Sequence, residues 1–256
     1  MSEMTHFEFF YLLLEPFLPP LQQQVRARLR YLAKTSSSRP EILDVGGRLS
    51  NYTIGLPANI TITDIERRTP IQEALHLGTN DKLITRLAKR RSNVAAIRYD
   101  DMTKSRLADG SYDLVVAVEV LEHVELDEQF VAEVSRVLKP GQTFLMTTPN
   151  GDFVRNTNPD HKRHYTREQL RALLERHFED VHVEYAIKTG RFYALSLRNW
   201  SFKHPLRTAV TMISGALSAW QSRSGEVRFE KCRTHQLIAW AKARAGMETP
   251  TQAGAA

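Results

Sequence analysis

"EILDVGGRLSNY" (residues 41–52) is the stretch on which the fold turns. Its apolar residues, with Asp44 as the polar exception, read as a buried strand ending at Gly46-Gly47. A nucleotide loop of the G-x-G-x-x-G kind needs further glycines at spaced positions, for the tight turn and for close backbone approach. Arg48 and Ser50 stand there instead. The stretch is thus a glycine-poor nucleotide loop, a different loop, or only a strand end, and the rest of the chain must decide.

Working outward, further strands are expected at 59–64, 94–99, 112–118 and 142–148, after the first at 41–46. Helices are expected between them at 80–91 and 126–138, the second from Leu126, Phe130, Val134 and Val137 at helical spacing. Thr166-x-x-Gln169 caps another helix running to about His177, with Leu170, Leu173 and Leu174 on one face. "VHVEYAI" (181–187) and "HQLIAWAKA" (235–243) supply two late strands. Strand alternating with helix predicts an α/β protein, a parallel sheet with helices on both faces. Ligands of such sheets bind at the carboxyl ends of the strands.

Upstream, Thr5-x-x-Glu8 is a capping box, and two helices broken at Pro16 and Pro19-Pro20 follow, the second over about 21–34. "TSSSRP" (35–40) reads as a linker and 247–256 as a frayed tail. The chain therefore divides into an N-terminal helical extension (1–35), a main domain (36–246) and the tail. Residues 188–234 form an insertion between the last two strands.

The single cysteine, Cys232, excludes an internal disulfide framework and favours a reducing compartment. The first twenty residues lack a basic n-region, and no run approaches the length of a membrane span, so a cytoplasmic protein is expected. Net charge is +6, and nine Lys/Arg against two Glu fall between Arg198 and Arg244. That basic segment suits a solvated face, an anionic membrane surface, a phosphorylated substrate or nucleic acid. Within it, 204–221 reads as an apolar helix rimmed by Lys203, Arg207 and Arg223. A lid, a dimer face and peripheral membrane contact through 198–223 are the readings it allows.

Asp44, Asp64, Asp101 and Glu119 stand at or just beyond successive strand ends. An acidic residue about twenty positions after a first-strand glycine turn is spaced to accept both ribose hydroxyls of a nucleoside. A carboxylate one strand further on can accept from an adenine amino group. Single acidic residues at strand ends are commonly helix caps; four in order are harder to dismiss.

The set "ILDVGG", "TDIE", "YDDMTKSRLADGSYDLVVAVEVLEHV" and "EVSRVLKPGQTFLMTTPN" resembles the class I S-adenosylmethionine-dependent methyltransferases, over about 40–185 and 235–243. The resemblance implies a seven-stranded Rossmann-like sheet whose last two strands form an antiparallel hairpin, with S-adenosylmethionine as cofactor. It implies that Asp44 and Gly46 serve the methionine portion and that Asp64 and Ile65 serve the ribose. Asp101 and Met102 would frame the adenine, and Glu119 would lie under the sulfonium. The loop with Arg48 and Ser50 is similar to glycine-poor variants of the family. A sulfonium cofactor carries no phosphate and needs no phosphate cradle.

In "EVLEHV" (119–124), Glu119, Glu122 and His123 stand at i, i+3 and i+4, so one helical turn would gather them. "PDHKRHYTREQL" (159–170) brings His161 near the same strand ends. The plain reading is a capping cluster ahead of the 126–138 helix. The sharper one is a Mg²⁺ or Mn²⁺ site of Glu119, Glu122, His123 and His161. These residues resemble segments of ubiquinone-pathway O-methyltransferases and of small-RNA 2′-O-methyltransferases. In both groups a metal serves neighbouring hydroxyls. His123, His161 and His164 are the candidates for acid–base work on an acceptor hydroxyl. The expected function is O-methylation of a small or lipid-linked molecule, a sugar or a phenol. RNA 2′-O-methylation and a non-catalytic cofactor-binding role are the alternatives.

Overall fold

The computed structural model describes residues 4–36, 39–47, 51–66, 78–201 and 203–245. Arg48, Ser50 and the 247–256 tail lie outside the described residues. Seven strands make one sheet: β1 (Glu41–Val45), β2 (Asn59–Asp64), β3 (Val94–Tyr99), β4 (Tyr112–Val118), β5 (Leu138–Pro149), β6 (Phe178–Lys188) and β7 (Thr234–Ala243). Their spatial order is β3-β2-β1-β4-β5-β7-β6. Strands β1 to β5 pair parallel, and β7 runs antiparallel to both β5 and β6. The order reverses between β1 and β4, which opens a crevice at the carboxyl ends of those two strands.

The strands of the sheet centre are buried on both faces, so Ile42–Val45 and Leu114–Ala117 read as near-continuous apolar runs. On one face α4 (Asp127–Val137) and α5 (Arg167–Glu175) bury Phe130, Val131, Val134, Leu170 and Leu174 against β4 and β5. Helix α3 (Asp81–Arg90) follows β2. Leu126, expected within the α4 stripe, is instead its non-helical N-cap residue and is half exposed at the cleft.

The opposite face is covered by the N-terminal segment. Helix α1 (His6–Leu14) starts at the Thr5–Glu8 capping box, a 3-10 turn follows at Glu15–Phe17, and α2 (Pro20–Ser36) begins at Pro20. Val25, Leu29 and Ala33 of α2 recur at i, i+4 and i+8 and join the core with Ile42, Ile60 and Leu114. Each Val, Leu or Ile side chain among them contributes roughly 1.5–3 kcal/mol on burial. Helix α2 of the N-terminal helical extension thus shares the core of the sheet. Thr35 and Ser36 of the supposed linker are the last residues of α2.

The insertion leaves β6 at Lys188 and rejoins β7 at Thr234, at the carboxyl edge of the sheet. It contains α6 (Arg191–Ser196) and α7 (Pro205–Gln221). No helix among the described residues is long and apolar enough to cross a membrane.

Candidate active site

The crevice is a cleft of about 690 Å³. Asp44, Gly46, Asp64, Ile65, Asp101, Met102, Glu119 and His123 all line it, so the strand-end residues picked out in the sequence share one space. Gly46 ends β1 in the left-handed region (φ +66°), and its N–H donates to the Thr63 carbonyl at 2.8 Å. A Cβ there would stand 2.7 Å from Val120, so the missing side chain makes room for Val120. Asp44 is buried and accepts from Thr53 Oγ1 at 3.0 Å, and Arg91 donates to the same hydroxyl oxygen at 3.0 Å.

At the other strand ends, Asp64 Oδ1 accepts the Ile65 N–H at 2.8 Å. Asp101 Oδ1 accepts from Thr103, at its N–H (3.0 Å) and its hydroxyl (2.8 Å), so it also caps the 3-10 turn Met102–Lys104. The residue before it was missed in the sequence. Asp100 lines the cleft, and its buried Oδ2 has no hydrogen-bond partner among the described residues. The doublet Asp100-Asp101 was its only signal.

The segment after β4 does not form the expected α-turn. Glu119 takes a left-handed conformation (φ 54°), and Leu121–His123 is a 3-10 turn. This separates the two carboxylates. Glu119 stays in the cleft, where Oε1 accepts from Thr147 Oγ1 at 2.8 Å, and burial raises its carboxyl to about 7. Glu122 is fully buried, accepts from Thr148 Oγ1 at 3.2 Å through Oε2, and leaves Oε1 without a hydrogen-bond partner among the described residues. Burial, and then the neighbouring Glu119, hold its carboxyl well above the usual range.

The loop after β5 folds back over the start of α4. Gly151 donates to the Tyr165 carbonyl at 2.8 Å, and a Cβ on Gly151 would meet that carbonyl group at 2.7 Å. Lys162 N–H donates to the Glu122 carbonyl at 2.6 Å, while Arg163 and Tyr165 both reach Asp127 Oδ2, at 2.8 and 2.7 Å. His161 is thereby set edge to face against His123, ring centroids 4.6 Å apart. Ligand atoms of Glu122, His123 and His161 lie within 4.8 Å of one another, a group that does not include Glu119.

The imidazoles form a chain with a defined direction. His164 Nδ1 is 3.0 Å from the Val154 carbonyl, which can only accept, so His164 carries its proton there and its Nε2 accepts. His161 Nδ1, 2.7 Å away, is then the donor, and its Nε2 keeps a lone pair. Burial, with His123 and His164 alongside, lowers His161 to about 4, so the ring is neutral at pH 7. Asp160 Oδ2 stands 2.9 Å from His123 Nδ1, close enough for charge pairing though off the line of a hydrogen bond. Asp160 also lines the cleft, with Asn158. His161 and His164 are not among the lining residues. Sequence reading missed Asp160, although it stands beside His161 in "PDHKRHY".

The sheet order and a nucleoside-sized cleft with carboxylates at successive strand ends define a Rossmann-like methyltransferase architecture. Residues 45–146 match the family model described as a methyltransferase domain. A protein named as a probable S-adenosylmethionine-dependent methyltransferase of Mycolicibacterium smegmatis is 42% identical over 84 residues, 31% of this chain and 33% of the relative. The sterol 24-C-methyltransferase of Aspergillus fumigatus is 31% identical over 158 residues, 56% of this chain and 38% of that enzyme. The chain spans roughly a third of the length of these curated relatives. In fold it is similar to a SAM-dependent methyltransferase structure from Archaeoglobus fulgidus, with a TM-score of 0.54 and 16% identity, covering 86% of this chain and 94% of that one. Residues 45–146 thus match a methyltransferase domain, the chain is similar in sequence to S-adenosylmethionine-dependent methyltransferases, and its fold is the Rossmann-like one of such proteins.

Proposed function

We propose that the chain transfers a methyl group from S-adenosylmethionine to a hydroxyl oxygen of a small or lipid-linked acceptor, a sugar or a phenol. The carrying observation is one cleft in which Asp64, Asp100, Asp101 and Glu119 share a wall with His123 and Asp160. The unpartnered Asp100 Oδ2 fits a ligand that donates a hydrogen bond there, as an adenine amino group does. Asp64 and Ile65 would hold the ribose, Asp101 and Met102 the adenine, and Asp44, Gly46 and Glu119 the methionine end. The cofactor supplies an electrophilic methyl carbon on a sulfonium; an O–C bond forms as the S–C bond breaks. Alignment at the cleft floor then accounts for much of the rate. His123 in its neutral form takes the acceptor's hydroxyl proton, and Asp160, 2.9 Å from its Nδ1, stabilises the imidazolium that results. His161 and His164 hold the His123 ring from behind.

Glu122, His123 and His161 also fit a divalent ion, Mg²⁺ or Mn²⁺. A buried carboxylate oxygen without a partner beside an imidazole lone pair is an arrangement a cation or a shared proton would satisfy. Such an ion would supply Lewis acidity towards an acceptor hydroxyl.

Calorimetric titration with S-adenosylmethionine tests the cofactor assignment. Asp64→Ala is expected to weaken binding by about 1–3 kcal/mol, and absence of heat from the folded wild type would sink the assignment. Mass spectrometry of products from a metabolite extract and from total RNA tests the acceptor. Methylation confined to RNA nucleosides would overturn the acceptor reading, and binding without any product would mark a non-catalytic homologue. Loss of turnover in EDTA, restored by Mg²⁺ or Mn²⁺, is the result expected if the ion is used. Full turnover in EDTA would leave His123 and Asp160 acting alone.

A further inference from the structure

Helix α7 is mounted with its small side chains inward. Thr211, Ser214, Gly215, Ser218 and Ala219 are its buried residues, and a Cβ on Gly215 would come within 3.0 Å of the Phe17 carbonyl. Its large apolar side chains consequently face out: Leu206 is 84% exposed, Ile213 58% and Trp220 70%, with Val210 and Leu217 between them. Their spacing of four, three, four and three places all five along one line of the helix. A surface helix of a water-soluble domain ordinarily has the reverse arrangement. The 3-10 turn on which α7 rests leads back to α1, where Phe9, Phe10 and Leu13 are also exposed. The one carboxylate within α1, Glu8, is buried, and Glu15 is engaged by Arg26 and Arg30.

From α6 to the end of α7 the insertion carries charge of one sign. From Arg191 to Gly225 the sequence carries five Lys/Arg and no Asp or Glu. Arg191, Arg198, Lys203, Arg207 and Arg223 are exposed, and none of them forms an ion pair among the described residues. A second copy of the chain seated on α7 would bring like charges together, whereas headgroup phosphates complement them. An exposed apolar line bordered by cations, with a tryptophan at one end, suits a lipid–water interface.

We propose that α7 and the outer face of α1 dock flat on an anionic lipid surface, apolar side chains at the acyl boundary and cations at the headgroups. The insertion joins the sheet at its carboxyl edge, so docking keeps the cleft close to the lipid surface. This surface needs no particular methyl acceptor, and its test needs no turnover.

The test is co-sedimentation with vesicles of phosphatidylcholine alone and of phosphatidylcholine mixed with phosphatidylglycerol, alongside tryptophan emission. The protein is expected to sediment with the mixed vesicles and not with the neutral ones. Its emission should shift to the blue, and Trp220→Phe should remove that shift. Ile213→Glu with Leu217→Glu should lower partition by about tenfold or more while leaving the melting temperature unchanged. If that pair melts early, Leu206→Glu on the most exposed position gives the same reading. Arg207→Gln with Arg223→Gln should weaken both the partition and its salt dependence. Failure to sediment with mixed vesicles overturns the proposal, as does wild-type partition of the glutamate variants. A dimer that these variants dissociate, in a protein that ignores vesicles, overturns it in favour of self-association.

Discussion

Glu119 and His161 sit at opposite ends of one short cluster, and their protonation couples to folding with opposite sign. Glu119 is raised by burial from its ordinary 4.5 to about 7, so the native state holds a proton that the unfolded chain releases above 4.5. Its contribution to stability is present below about 4.5 and is lost as pH rises towards 7. His161 is lowered from 6.5 to about 4 by burial and by the two neighbouring imidazoles. Its contribution is present above 6.5 and is lost as pH falls towards 4. Between about 4.5 and 6.5 the two slopes offset each other. Glu122, also raised by burial, adds a slope of the same sign as Glu119, so urea denaturation is read as the difference between each variant and the wild type. Relative to the wild type, Glu119→Gln should lose stability on acidification and His161→Gln should lose it as pH rises, each difference with a slope approaching about 1 kcal/mol per pH unit. Parallel profiles for the two variants would contradict this pairing.

Among the elements, the loop between β5 and α5 has most at stake. Gly151 lies so close to the Tyr165 carbonyl that a methyl group must push the 161–165 segment away. Gly151→Ala should cost about 1–3 kcal/mol. It should lower turnover while leaving cofactor affinity near wild type, because the residues proposed for the cofactor belong to the ends of β1 to β4. A kcat and KM analysis beside calorimetry separates the two effects. Elements of this kind set the limit of what the sequence disclosed. The strands, both capping boxes and the strand-end carboxylates were readable because apolar periodicity and capping are local signals. The direction of the 151–166 loop was not, since distant partners set it: Tyr165 on Gly151 and Lys162 on the Glu122 carbonyl. The spacing of Glu119, Glu122 and His123 suggested an α-turn, and the left-handed Glu119 broke it. The apolar run at 204–221 announced a helix but not which of its faces would be buried.

At the scale of the whole molecule, α1 and α2 act as a clamp on the 51–56 segment beside the cleft. Arg26, fully buried in α2, donates to the carbonyls of Asn51 and Tyr52 at 3.2 and 3.0 Å and to Glu15 at 2.9 Å. Tyr11 adds a hydrogen bond to the Asn51 carbonyl at 2.8 Å. Arg26→Met should destabilise the fold by about 3 kcal/mol, the lower range for breaking a buried pair, because Arg30 still reaches Glu15. It should also weaken S-adenosylmethionine binding measured by calorimetry, since Asn51 and Tyr52 line the cleft. Unchanged stability and affinity would remove the clamp. The placement of β7 bears on how the protein is made. The seventh strand of the sheet in chain order fills an interior slot, hydrogen-bonded to β5 on one side and β6 on the other. Until residues 234–243 emerge, β5 and β6 lack the partner that β7 gives them, and a nascent chain halted within the insertion would present two open strand edges to other chains. Closure of the sheet therefore waits for residues 234–243, and a premature stop before Thr234 would yield a product prone to edge-to-edge association rather than a smaller working domain.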